Sequence, residues 1–323
     1  MGFRKRGIMK PLKFSYFQLT FGQQEAYLNP KKTYQRLKQY GYDAIEITPP
    51  KGRYGLGVKM EPYLETHKTL KDDYGLKVSC INECWGEEWD PFSPTYKTLT
   101  ESKTANLAVS ETKSSIDYAV ELDAPCVTVA VAIHDDITAS NVAECTAIAV
   151  DALQRMADYA QDKGIRLVFE ATNHLEMGKF VNTVLNHKRM IELTDRENIG
   201  IQLDWFHASF EELNPYEAVM DAHPLLWHMH FRDSNSLTPG YGTVDFKAVL
   251  RAVKKNGYDG YCTIESAPMV PDADTAAKDG IEYLKILERI VDYQLSPEYP
   301  NGYAVGIQPA MFEIRRRTKG GAF

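Results

Sequence analysis

No stretch of this 323-residue sequence is long and apolar enough to cross a bilayer as a helix, so a membrane-spanning helical protein is excluded. The first ten residues are basic but lack the apolar core and small-residue cleavage site of a secretory leader, and they read as a surface tail. Positive charge is also short: 37 lysines and arginines face 44 aspartates and glutamates, a formal net charge of −7. That sign argues against holding a nucleic-acid backbone, and the short run Arg315 to Arg317 does not change it. Cysteine is scarce, with five scattered residues and no disulfide framework, so free buried thiols in a reducing compartment, the cytoplasm, are expected. Cys80 and Cys84 lie close together but have no second pair to complete a zinc site. No G-x-G-x-x-G follows the first apolar strand, which weighs against a dinucleotide.

What is present is a core. Hydrophobic residues make up 44% of the chain and charged residues 25%, the balance of a globular protein. Short apolar runs alternate with helical stretches. Strands are expected at 12–19, 42–47, 76–82, 126–132, 165–169, 199–204, 225–231 and 261–264. Between them, Asn29-Pro30 opens a helix that ends at Gly41, and helices are expected near 112–122, 139–162 and 274–293. Eight strand-helix units in strict alternation imply a parallel sheet closed into a (β/α)8 barrel over residues 1–295, with a doubly wound open sheet as the alternative. Residues 296–323 fall outside that count. This C-terminal extension is rich in Pro and Gly yet carries Tyr303, Val305, Ile307, Met311 and Phe312, so it is expected to pack on a partner chain or on the barrel wall.

The most informative segment is 199–210, IGIQLDWFHASF. Its alternating apolar run stops at Asp204, and His207 follows where strand gives way to loop. Alone, Asp204 reads equally well as a cap for the next helix. Three other strands end in the same manner, however: at Glu170, at His230 (with His228 two residues before it) and at Glu265. A closed barrel gathers all strand ends on one face, so Glu170, Asp204, His230 and Glu265 are expected to converge. Three carboxylates together repel one another unless a cation sits among them, and an oxygen-rich set with one imidazole favours Mn²⁺, Mg²⁺ or Co²⁺.

The chain also resembles a known family on these residues. E-x-x-N-x-x-E (Glu170, Asn173, Glu176), D-x-F-H (Asp204, Phe206, His207), H-x-H (His228, His230) and GYDGYCTIE ending at Glu265 are similar to the xylose-isomerase-like TIM-barrel superfamily of sugar isomerases and epimerases, especially ketose 3-epimerases. The resemblance spans about residues 12–293. It implies that Glu170, Asp204, His230 and Glu265 ligate the metal, that Glu170 and Glu265 form the acid/base pair, and that Glu176 and His207, together with Asn173, hold sugar hydroxyls. It also implies that His228 lies behind the ligands. Chemically, a cation holding a ketone oxygen and the neighbouring hydroxyl acidifies the intervening C–H, and the resulting enolate can epimerise, isomerise or expel a leaving group.

Departures from that pattern point to the outcome. Ser236 stands where ketose epimerases carry an arginine six residues after the liganding histidine, while Arg232 comes only two residues after it. Trp205 replaces a residue that is commonly small. With Trp85, Trp89 and Phe206 it is expected to form an apolar wall for an aromatic group. His134, after the fourth strand, is an additional acid or base candidate, or an ordinary cap for its turn. These features and the extension resemble the catalytic subunit of C-glycoside deglycosidases, which implies a lyase acting on 3-keto-C-glycosides as a hetero-oligomer with a small β-subunit. A ketose 3-epimerase or sugar isomerase is the alternative.

Overall fold

The computed structural model describes residues 10–51, 55–83, 99–130, 137–175, 178 and 180–296. The Cys84, Trp85, Trp89, His134 and Glu176 readings, and that of the extension beyond residue 296, fall outside these residues.

Eight parallel strands close on themselves in sequence order: β1 (Lys13–Phe17), β2 (Ala44–Ile47), β3 (Lys77–Asn82), β4 (Cys126–Ala130), β5 (Arg166–Glu170), β6 (Ile199–Asp204), β7 (Leu226–Phe231) and β8 (Tyr261–Ile264). Closure is completed by β8 against β1, with Phe14 beside Cys262 and Tyr16 beside Ile264. The barrel is therefore of the TIM type, and the open-sheet alternative is set aside.

The outer layer contains α1 (Gln23–Leu28), α2 (Pro30–Tyr40), α3 (Met60–Tyr74), α4 (Ser102–Glu121), α5 (Val142–Asp162), α6 (Val184–Thr194), α7 (Trp205–Glu211), α8 (Pro215–Ala222), α9 (Phe246–Asn256) and α10 (Ala273–Leu295). Helix α2 starts on Pro30 and stops at Gly41, whose φ of 80° is the left-handed cap conformation that glycine adopts without a Cβ penalty. Helix α4 begins ten residues before the expected start at 112. Its buried stripe of Ala105, Ala108, Val109, Thr112 and Ile116 is built largely from small residues, whose weak apolar signal conceals the first turns. Strand residues alternate between helix-facing apolar groups and a barrel interior of unusual polarity. Ser15, Glu46, Ser79, Thr128, Gln202, His228, His230 and Thr263 are all buried. Charged and polar groups sealed in this way must be hydrogen-bonded to one another or to something they bind.

Candidate active site at the C-terminal mouth of the barrel

Strands β5, β6, β7 and β8 deliver the four expected side chains to one place. His230 is at the centre: its Nδ1 lies 2.7 Å from Glu265 Oε2, 3.6 Å from Glu170 Oε1 and 3.8 Å from Asp204 Oδ2. Adjacent strands set this spacing by register, since Asp204 pairs with His230 and Glu170 with Gln202. Asp204 and His230 side chains are each 1% exposed and form a floor, whereas Glu170 and Glu265 keep 15% and 16% and form a rim. The rim is the part a bound molecule can touch.

Asp204 serves two purposes. Its Oδ1 accepts the backbone N–H groups of Phe206 (2.7 Å) and His207 (3.3 Å), which makes it the N-cap of α7. Its Oδ2 is buried and accepts no hydrogen bond among the described residues; the nearest cationic groups, His230 and Arg232, stand 3.8 and 4.0 Å away. A buried carboxylate oxygen left in this way costs free energy unless something positive meets it. Glu170, Asp204 and His230 offer three donor atoms within 4.8 Å of one another, and Glu265 adjoins His230, so the residues fit a divalent cation.

The electrostatics agree with the donor set. Burial, together with the charges of Asp204 and Glu265 and against the attraction of His230, raises Glu170 to about 8. Asp204 moves the other way, to about 2: burial opposes its charge, but His207, His230 and Arg232 outweigh it. His230 is held well above the usual imidazole value, because the carboxylates of Glu46 and Glu265 at hydrogen-bond distance, with Asp204 nearby, overcome the burial that disfavours its cation. Without a cation, Glu170 therefore keeps a proton that a metal ion would displace.

Glu46, in the middle of β2, was not anticipated. It is fully buried, its Oε2 lies 2.7 Å from His228 Nε2, and its Oε1 lies 2.9 Å from His230 Nε2 and accepts from Asn82 Nδ2 at 2.9 Å. Burial opposes its ionisation, yet the two histidines hold it far below the ordinary carboxylate range. A carboxylate on Nε2 turns the imidazole so that Nδ1 faces the carboxylate cluster, the arrangement that orients metal-binding histidines. Phe17 stacks on the ring of His230 with centroids 6.0 Å apart, and Gln202 places its amide 3.3 Å from the ring nitrogens. His228 lies behind His230, as expected, and reaches it through Glu46.

The remaining predicted residues divide. His207 is buried beside the cluster, and its Nδ1 accepts from the backbone N–H of Asn173 at 3.2 Å, which places the ring proton on Nε2. Asn173, expected to touch substrate, does not: it is 0% exposed, with its Nδ2 2.8 Å from His207 Nδ1 and its Oδ1 accepting from Leu175 N–H at 3.1 Å. It is a positioning residue. Trp205 also departs from expectation. As the first residue of α7 it turns into the apolar core and is 1% exposed, so it supplies packing and not an aromatic wall. Arg232 reaches the site, with Nη1 3.4 Å from Glu265 Oε1 and its guanidinium 4.5 Å above the Phe206 ring. Ser236 pins it, because Ser236 Oγ accepts from Arg232 Nη2 at 2.6 Å and itself donates to the Ala267 carbonyl. Lys51 and Glu83, at the ends of β2 and β3, form a buried pair 2.6 Å apart on the same face. No sequence motif marks that pair.

A closed eight-stranded barrel carrying a carboxylate-imidazole cluster at the C-terminal ends of its strands defines a class of barrel with an active-site mouth suited to a divalent ion. Within that class, the chain belongs to the xylose isomerase-like TIM barrel family, whose profile matches residues 34–287. It is 29% identical over 135 residues to the 3-dehydro-D-guloside 4-epimerase of Escherichia coli, a match covering 42% of this chain and 51% of that protein. It is 36% identical over 123 residues to the L-ribulose 3-epimerase of Methylomonas sp., covering 38% and 43% respectively. The matches thus span about half the length of these curated relatives or less. The crystal structure of a 3-keto-D-glucoside 4-epimerase from E. coli superposes with a TM-score of 0.73 over 85% of this chain and all of that one, at 20% identity, which establishes the shared fold.

Proposed function

We propose that this chain is a divalent-metal-dependent enzyme that enolises a 3-keto-glycoside and releases the group at C1 by β-elimination. The observation that carries the reading is the division of four donors into a sealed floor, Asp204 and His230, and a reachable rim, Glu170 and Glu265. Mn²⁺ is the ion we expect, with Mg²⁺ and Co²⁺ as the next choices for this oxygen-rich set. When bound, such an ion polarises the substrate ketone and stabilises the negative charge that develops on its oxygen.

The chain's own groups supply the proton chemistry. Glu170 and Glu265 approach His230 from different strands, so each can serve one face of a substrate lying over the floor. A rim carboxylate, or His134, takes the proton from C2; the C–H electron pair becomes the C1–C2 double bond as the bond from C1 to the leaving group breaks, and the departing group is protonated. His207, with its proton on Nε2, is suited to donate to a sugar hydroxyl, and Asn173 keeps its ring in place. Arg232 is tied to Ser236 and Glu265, which supports a role in setting the Glu265 carboxylate and argues against the grip on an open-chain ketose that an arginine at position 236 would give. A small β-subunit covering the mouth belongs to this reading.

Epimerisation of a keto-sugar through the same enolate is the second reading, favoured by the names of the curated relatives. Mass spectrometry of products formed with Mn²⁺ in D₂O separates the two. Free aglycone with an unsaturated keto-sugar is the expected result from a 3-keto-C-glycoside. A deuterated, epimerised keto-sugar with the glycosidic bond intact would replace elimination by epimerisation, and no exchange on any keto-sugar would remove both.

A further inference from the structure

Behind the four-donor cluster, the barrel interior holds a second group of metal-ligating side chains that the proton chemistry does not use. Cys80 comes from β3, Cys126 from β4 and His228 from β7, and they are 0%, 2% and 0% exposed. Their two sulfur atoms and an imidazole nitrogen all lie within 4.8 Å of one another. The strands that supply them are far apart in sequence, so no C-x-x-C spacing announces the group.

The tautomer of His228 gives the cluster its direction. Its Nε2 lies 2.7 Å from Glu46 Oε2 and 3.3 Å from Thr263 Oγ1, and the short contact to a carboxylate oxygen, an acceptor, assigns the ring proton to Nε2. Nδ1 is then left with an in-plane lone pair. That atom is buried and has no hydrogen-bond partner among the described residues, although a sealed imidazole nitrogen ordinarily finds one. The thiols hydrogen-bond to each other and to neutral neighbours: Cys80 with Cys126, with Thr128 Oγ1 at 3.1 Å and with the Ile81 carbonyl at 3.6 Å, and Cys126 with the Ser79 carbonyl at 3.7 Å.

We infer that Cys80, Cys126 and His228 form a buried site for a soft divalent ion, zinc, separate from the oxygen-rich site at the mouth. Thiolate and imidazole donors select zinc where carboxylates select manganese or magnesium. Two thiolates cancel the charge of Zn²⁺, so the filled site adds no net charge to the interior. Binding replaces two S–H bonds by two Zn–S bonds and releases two protons. An ion centred among three atoms no more than 4.8 Å apart would lie at most about 2.8 Å from each, so closing to the ~2.3 Å of a zinc-thiolate bond asks for at most about half an ångström of side-chain movement. The Thr128 hydroxyl, already beside Cys80, is at hand as a fourth donor. Glu46 then backs two metal-binding histidines at once, one on each of its oxygens. The inference is independent of the reaction proposed above.

The test uses the full chain purified from cells grown with added zinc sulfate, washed with EDTA and then given excess MnCl₂. Elemental analysis should find about one zinc per chain after the wash. Zinc X-ray absorption should show sulfur neighbours at about 2.3 Å. The double substitution Cys80→Ser with Cys126→Ser should lower zinc at least tenfold while Mn²⁺ still titrates into the upper site. Wild-type zinc below about a tenth of an equivalent, or zinc surrounded by oxygen and nitrogen alone at about 2.0–2.2 Å, would overturn the assignment. The absorption measurement on the wild-type chain decides the matter even if the double variant does not fold.

Discussion

The substitution Glu46→Gln probes the part of the site most hidden from solvent. Three donors converge on the Glu46 carboxylate: His228 at 2.7 Å, and His230 and Asn82 each at 2.9 Å. Glutamine preserves the shape but offers one acceptor and one donor. If its carbonyl keeps His230 and Asn82, its NH₂ confronts His228 Nε2, which must give up its proton and move it to Nδ1. His230 keeps its hydrogen bond but loses the anion that makes its Nδ1 a stronger ligand. A charge about 6 Å from a doubly charged ion contributes about 5.5 kcal/mol at an effective dielectric of about 20, which is a ceiling. Loss of such an outer carboxylate typically weakens metal binding by about 10–100-fold, or about 1.4–2.8 kcal/mol, and we expect a value in that range. Calorimetric titration of MnCl₂ into EDTA-stripped wild-type and variant chains reads it directly. A Mn²⁺ affinity within twofold of wild type, with an unchanged circular dichroism spectrum, would refute the idea that Glu46 tunes the site through His230. Because the same substitution blocks Nδ1 of His228, it should also abolish zinc retention.

Other substitutions separate the roles. Asp204→Asn keeps a good N-cap for α7 but removes an anionic ligand, so the melting temperature of the metal-free chain should shift by no more than a few degrees while Mn²⁺ affinity falls at least about 100-fold; an unchanged affinity would leave Asp204 as a cap alone. Glu170 is raised to about 8 in the folded metal-free chain against 4.5 as its ordinary value, so the native state binds the extra proton between those values and stability is lost as pH rises through that window. His230, raised as well, acts in the same direction. Scanning calorimetry of the metal-free chain should show the melting temperature falling from about pH 5 to about pH 8, and Glu170→Gln should flatten that slope; an identical slope in the variant would remove Glu170 as its source. Asn173→Ala withdraws one donor from His207 and should raise KM about 3–10-fold on whatever keto-sugar proves to be turned over, the equivalent of a hydrogen bond of about 0.5–1.5 kcal/mol. An effect on kcat alone would argue that His207 acts in proton transfer instead of holding a hydroxyl.

Most of the barrel was legible because each strand is a compact apolar run followed by turn chemistry, and alternation with helices leaves little choice of topology. The four donors were legible for the same reason: polar residues ending apolar strands stand out. Glu46 did not, because a lone glutamate in AIEI looks like the solvent-facing member of an alternating strand; only closure of the barrel reveals that it faces partners 182 and 184 residues away. The cysteines were legible as buried, but their proximity depends on β3 and β4 pairing and on β7 lying across the interior. Trp205 misled because a large aromatic at a strand exit fits either a mouth or a core. Its fate was set by α7, whose first residue it is, and that short helix has too few residues to show a period. Asn173 misled in a different way: a motif position says that a residue is near the chemistry, not that its amide remains available for a ligand.

The double use of Asp204 explains why the site can be both buried and precise in its geometry. A carboxylate ligand free to rotate would lose side-chain freedom each time an ion bound. Here Oδ1 is already committed to two backbone N–H groups, so that freedom is lost on folding and Oδ2 is left aimed at His230. Glu46 does the same for the imidazole, and Asn173 for His207. Asp204, His230 and His207 are thus each fixed on folding by other groups of the chain, their holders: backbone N–H groups at the start of α7, Glu46 of β2 and Asn173 at the β5 exit. Preorganisation of this kind places the cost of assembling like charges in the folding equilibrium, where 70 buried apolar residues among those described oppose it, and not in the binding of metal or sugar. It follows that variants of the holders should weaken metal or substrate binding before they unfold the barrel, whereas loss of the Trp205 side chain, which packs in the core, should lower the melting temperature first.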